Sequence, residues 1–172
     1  VPAERTVTLV QALTAMPQGV EAMDTDFPGL VQTSLNMGVV KLDGDGLHIA
    51  FSIRSSIASR KLMLAQRVRA VAALAGGTVA ERGVYPGWQY KREPQFRDTL
   101  LAASKDLTGK DGVVEATHGG LECGLLGEKL PGLDCVSFGP DLKEIHTFRE
   151  SMSVASVQRV YAMVVETLKR MH

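Results

Sequence analysis

Leu47, Ile49, Phe51 and Ile53 alternate with His48, Ala50 and Ser52, the period of two that a strand with one buried face requires. Leu30–Lys41 precedes this run across Asp43-Gly44-Asp45-Gly46, a turn of residues that tolerate positive φ, so the pair predicts a β-hairpin. The period then changes. Ser55 or Ser56 is placed to cap a helix running to about Ala75, with Ile57, Leu64, Val68, Val71 and Ala75 on one face and Arg60, Lys61, Arg67 and Arg69 outside. Gly76-Gly77 closes it. Upstream, Glu4–Met16 carries Val7, Val10 and Leu13 before Pro17 and fits either a short helix or an extended start. Thr78–Tyr85 reads as a strand. Hairpin, helix and strand together predict an α+β layer with one sheet face covered by a helix.

Pro86–Arg92 (PGWQYKR) is a turn-rich crossing that holds the single tryptophan, and a domain junction is expected there. A second helix follows, with Pro94 in its first turn, where a missing N–H costs little. Phe96, Leu100, Ala103 and Leu107 form its stripe, and Gly109 ends it. Next come an expected strand at Val113–Thr117, a helix from about Gly120 to Glu128, and a strand at Cys135–Phe138. Ser153 caps a final helix whose Val154, Val157, Tyr161, Val164, Leu168 and Met171 share one face. This alternation predicts helices on a mostly parallel sheet. The fold class is therefore α/β, an α+β portion at 1–92 followed by an α/β segment at 93–172, with sheets covered by helices.

The bulk numbers narrow the function classes. The chain has 172 residues and zero formal net charge, and its lysines and arginines form no long basic stripe, which argues against a nucleic-acid partner. Its apolar runs stop short of the 18 residues or so that a spanning helix needs, and no charged-then-apolar leader opens it. Cys123 and Cys135 lack metal-type spacing; a reduced, intracellular setting is the simpler expectation, with a disulfide left open. Val1 stands at the start, which leaves removal of a preceding segment open.

The chemistry gathers in residues 116–150, ATHGGLECGLLGEKLPGLDCVSFGPDLKEIHTFRE. Its polar groups follow two expected strands, and ligands of open α/β sheets bind past strand carboxyl ends. His146, in a loop, is a candidate metal ligand or acid/base, or else a surface histidine. Glu150 would orient its imidazole or favour the amino end of the final helix. His118 precedes Gly119-Gly120, whose backbone can approach a ligand closely, or it caps the next helix. Glu122 is a first-turn acid by position, and Cys123 is a helix-start nucleophile or a small buried thiol. Arg54 ends the hairpin and would either clamp a carboxylate with its fork or sit in solvent. The chain has no G-x-S-x-G, H-E-x-x-H or C-x-x-C. A catalytic zinc usually has about three protein ligands, and one convincing histidine with scattered carboxylates falls short of that.

THGGLECGLLGEKLPGLDCVSFGPDLKEIHTFRE resembles the carboxyl-terminal part of aminoacyl-histidine (Xaa-His) dipeptidases, di-zinc exopeptidases that include carnosinases and carboxypeptidase G. The resemblance extends through ALTAMPQGVEAMDTDFPGLVQTSLNMGVV, IRSS and YPGWQY, so it covers nearly the whole chain. It implies a catalytic α/β domain with two zincs and an inserted lid that also mediates homodimerisation, in a cytoplasmic enzyme. Residues 1–92 would be the later part of the lid, and 93–172 the last segment of the catalytic domain. His146 matches the family's last zinc ligand. His118, Gly119, Gly120 and Glu122 match the substrate-facing loop, and Arg54 resembles the lid arginine that holds the substrate carboxylate. The family uses a zinc-bridging water, activated by a glutamate, against a peptide carbonyl polarised by zinc. The other zinc ligands and that glutamate have no equivalent here, and Phe148 stands where the family usually has proline, with Glu150 kept in register. The resemblance thus implies a carboxyl-terminal fragment, inactive alone. Its rivals are a non-catalytic dimerisation module derived from the lid, and a hydrolase using Cys123 with His118.

Overall fold

The computed structural model describes residues 2–117 and 120–171, which divide into two compact units: Val1–Tyr90 with Glu115–Glu128, and Lys91–Val114 with Lys129–His172. The fold is mixed α/β, as the sequence predicts.

The first unit begins with helix α1 (Ala3–Ala15), followed by strands β1 (Gly19–Met23), β2 (Val31–Asp43) and β3 (Gly46–Ser55) and helix α2 (Ala58–Leu74). The strands form an antiparallel sheet in the order β1-β2-β3, and the predicted hairpin is β2–β3, with Leu35 opposite Ile53 and Ser34 opposite Arg54. Its turn is fastened by Asp43, which accepts the Asp45 N–H at 3.1 Å and pairs with Lys41 at 2.9 Å. The Lys41 contact, followed by the Asp45 N–H, holds the Asp43 carboxyl below its usual range. Leu35, Leu64 and Val68 form the core under α2, with Met16, Phe51 and Ile53 packed around them.

Two expectations for this unit change, and one strand was not foreseen. Neither serine caps α2: Ile57 occupies the cap position without a side-chain bond. Ser55 is still strand, and its hydroxyl bonds Thr33 Oγ1 at 2.8 Å and accepts the Ile57 N–H at 3.0 Å. Thr78–Tyr85 joins no ladder among the described residues. β1 carried no recognisable alternation, because its five residues owe their conformation to pairing with β2.

The second unit contains α3 (Gln95–Thr108), strands β4 (Leu142–Lys143) and β5 (Ser151–Met152), and α5 (Val154–Lys169). Between α3 and β4 in the chain lies α4 (Glu122–Lys129), almost all of which belongs to the first unit. Gly109 ends α3 as expected, in the left-handed conformation at φ 69°, while Pro94, expected in the first turn, stands just before it at the cap position. The side-chain partner at its amino end comes from far along the chain: Asp134 Oδ2 accepts the Phe96 N–H at 2.9 Å. Leu100 and Ala103 are buried, and α3 packs on α5. Arg170 joins the two helices, bonding Asp106 at 2.7 Å and Glu166 at 2.9 Å, which raises its pKa further.

Here the sequence expectations fail more widely. Val113–Thr117 and Cys135–Phe138 pair with no strand among the described residues, and Val113 is 83% exposed. A strand exists through hydrogen bonds to a neighbour, so strand-forming composition alone does not produce one. The expected parallel sheet is accordingly missing from the described residues, where every ladder is antiparallel. Ser153 does cap α5, accepting the Ser156 N–H. Most of the apolar face expected to be buried is turned outward, with Val154 72% and Tyr161 71% exposed, and only Val164 of its six residues is half-buried. Ser156 and Thr167 are buried instead. No helix among the described residues is long and apolar enough to cross a membrane.

Candidate functional site

His146 sits in a loop whose construction is local. The ladder of β4 and β5 pairs Leu142 with Met152 and Lys143 with Ser151, closing residues 144–150 into a short excursion. Its base is tied to α5: the Ser153 N–H donates to the Asp141 carbonyl at 3.0 Å, and the Asp141 N–H donates to Ser156 Oγ at 2.9 Å. Arg159 pairs with the Asp141 carboxylate at 2.8 Å. Inside the loop, Thr147 bonds the Glu144 carbonyl through both its N–H and its hydroxyl. Glu144 and His146 have φ of 50° and 64°, a region that residues other than glycine enter infrequently, histidine more readily than glutamate.

The Glu150 carboxylate accepts the His146 backbone N–H at 2.8 Å. Its observed role is to hold the turn that presents His146, a backbone contact that the spacing of the two residues did not specify. Because α5 begins at Val154, Glu150 also lies outside its first turn. The His146 side chain is exposed. Phe148 beside it is exposed too, with the Arg149 guanidinium 5.2 Å from the ring centroid.

In the first unit, Arg54 is the last residue but one of β3 and is exposed. Glu122 opens α4 and is exposed; Gly120 precedes it. His118 and Gly119 lie outside the described residues, so the expectations placed on them do not meet the structure. Cys123 and Cys135 are half-buried and form no disulfide.

A segment that the sequence divided between the end of an expected strand and a junction lies beside Arg54 and Glu122. Tyr85–Trp88 runs against the end of β3: a Cβ on Gly87 would fall 2.5 Å from the Ser56 carbonyl oxygen and 2.8 Å from that of Ser55. Lys61 Nζ donates to the Tyr85 carbonyl. Partial burial lowers the Lys61 pKa, and Glu81 opposes this. The same segment meets the start of α4. A Cβ on Gly120 would lie 2.7 Å from the Tyr85 ring, and one on Gly124 would lie 3.1 Å from the Pro86 carbonyl oxygen. The YPGW run was the available signal for this role, but nothing in the sequence says what a glycine there faces.

Among the described residues, no three of the histidine, cysteine, aspartate and glutamate side chains gather as a metal-binding set. His146 offers a single donor, so the described residues do not make up a zinc site by themselves.

Comparison with known proteins adds a second line. No family model matches the chain. The cytosol non-specific dipeptidase of Escherichia coli (strain K12) is 33% identical over 162 residues, covering 94% of this chain and 33% of that protein. The crystal structure of aminoacylhistidine dipeptidase from Vibrio alginolyticus superposes with a TM-score of 0.85 at 32% identity, over 96% of this chain and 34% of that one. Aminopeptidase PepT from Bacillus cereus ATCC 10987 shares the fold with a TM-score of 0.69 at 20% identity, over 94% of this chain and 44% of its own. The chain spans about a third of the length of the two dipeptidases it matches.

Proposed function

Since the chain belongs to the family of these dipeptidases, we propose that it is the carboxyl-terminal part of a metallo-dipeptidase that hydrolyses Xaa-His dipeptides, and that it is inactive without the remainder. The observation that carries this reading is the agreement of sequence and fold with dipeptidases across nearly the whole chain, at a third of their length.

In this reading residues 1–92 belong to a lid through which the enzyme forms homodimers, and 93–172 belong to the catalytic domain. His146 supplies one ligand to a pair of zinc ions, Arg54 binds the substrate carboxylate, and His118, Gly119, Gly120 and Glu122 line the substrate. Zinc supplies Lewis acidity when bound. What this chain contributes is a histidine fixed by a loop that Glu150 braces, and a guanidinium whose fork matches a carboxylate. A cytoplasmic location accords with the name of the Escherichia coli relative.

The test is hydrolysis of β-alanyl-histidine, and of a dipeptide lacking histidine, by this chain with added zinc, alongside metal content. The expected result is no turnover and substoichiometric zinc. Zinc-dependent turnover by the chain alone would overturn the claim that it is incomplete. In the complete enzyme, His146→Ala should lose zinc and activity together, and full activity in that variant would refute the ligand assignment. Preference for dipeptides without histidine would remove the Xaa-His specificity.

A further inference from the structure

We propose that Gly87 is a positioning residue, and that Tyr85–Trp88 is a strap fixing the distance between the end of β3, where Arg54 sits, and the turn into α4, where Gly120 and Glu122 sit. The proposal rests on the substrate-binding roles given above to Arg54 and Glu122.

Three glycines carry the argument. Gly87, Gly120 and Gly124 are not among the glycines with positive φ, so freedom of backbone angle does not explain them. Each lies where a Cβ would crowd an atom of another segment, and every one of these contacts involves the strap. Gly87 meets the carbonyls of Ser55 and Ser56, immediately after Arg54. Gly120 and Gly124 meet Tyr85, Pro86 and Gly87 and enclose Glu122 between them in the chain. Gly87 faces main-chain atoms, which cannot turn aside as a rotamer would. Lys61 adds a hydrogen bond to the Tyr85 carbonyl. One four-residue segment therefore lies close against both substrate-binding elements. A displacement of either element by about 1 Å is enough to lower reactivity by as much as a hundredfold when two groups must meet one substrate.

The first arm of the test uses this chain and needs no activity. The amides of Ser56, Ile57 and Gly124 are hydrogen-bonded, to the Gln32 carbonyl, Ser55 Oγ and the Leu121 carbonyl. In Gly87→Ala, all three should exchange with solvent roughly tenfold faster or more, while core amides keep their protection. Gly127→Ala, in α4 with open space at its Cβ, should change none of them. Faster exchange on one flank only, or on neither, overturns the strap. If Gly87→Ala loses protection throughout, Lys61→Met decides instead: it should speed the same three amides by a smaller factor, and unchanged rates overturn the proposal.

The second arm uses the complete dipeptidase. Gly87→Ala should raise KM for a dipeptide roughly tenfold while kcat falls less, and in an Arg54→Ala background it should cost less than about twofold. Equal, additive losses overturn positioning through Arg54. If the unmodified complete enzyme cleaves no dipeptide, the functional reading fails, and the exchange experiment still judges the strap by itself.

Discussion

Replacing Glu150 by alanine removes the acceptor that holds the His146 N–H at 2.8 Å. The loop is closely balanced. Two residues in the left-handed region, at φ 50° and 64°, each cost about 1–2 kcal/mol. Against this stand a two-residue ladder, the Thr147 bonds to Glu144, and the bond to Glu150. A hydrogen bond to a carboxylate is worth about 1.5–3 kcal/mol; in an exposed loop we discount it to about 1 kcal/mol. Losing about 1 kcal/mol from the loop should lower the ratio of held to open turn about fivefold. The assay is amide exchange at His146 in Glu150→Ala, with Glu150→Gln as the companion because its amide oxygen can still accept. His146 exchange should rise about fivefold in the first variant and much less in the second, while global stability moves by less than about 0.5 kcal/mol. On the proposed role of His146 as a zinc ligand, the same change in the complete enzyme should weaken zinc binding by about tenfold or more, as loss of a supporting carboxylate does. An unchanged His146 exchange rate in Glu150→Ala would refute the account of the loop.

Two further outcomes are expected. Leu64 is fully buried beside Leu35 and Val68, so Leu64→Ala should destabilise the chain by about 2–5 kcal/mol in urea unfolding, and a loss below about 1 kcal/mol would mean that this core is not packed as described. Lys61 has its pKa lowered by burial, so the folded state holds fewer protons than the unfolded state as pH approaches the ordinary value of 10.5. Stability of the native chain relative to Lys61→Met should therefore rise as pH climbs through the lowered pKa toward that value, and a flat difference across this window would contradict burial of the ammonium.

The sequence by itself determined the elements whose signals are local. The β2–β3 hairpin was legible because alternation and an Asp-Gly turn both act within a few residues. The spans of α2, α3 and α5 were legible for the same reason, through their glycine ends and the Ser153 cap. Arg54, Glu122, His146 and Glu150 were visible as candidates because their neighbours form recognisable motifs. Tertiary structure decided everything that depends on a partner. Whether Val113–Thr117 and Cys135–Phe138 become strands rests on a neighbouring strand, since the ladder bonds lie between chains of residues and not within one. Which side of α5 is buried rests on what packs there, and in this chain Ser156 and Thr167 are covered while most of the apolar stripe is not. The acceptor that holds the start of α3 comes from Asp134, far along the chain. Gly87 is the sharpest case: a glycine read in sequence suggests a turn, and only the fold shows two carbonyls standing where a side chain would go.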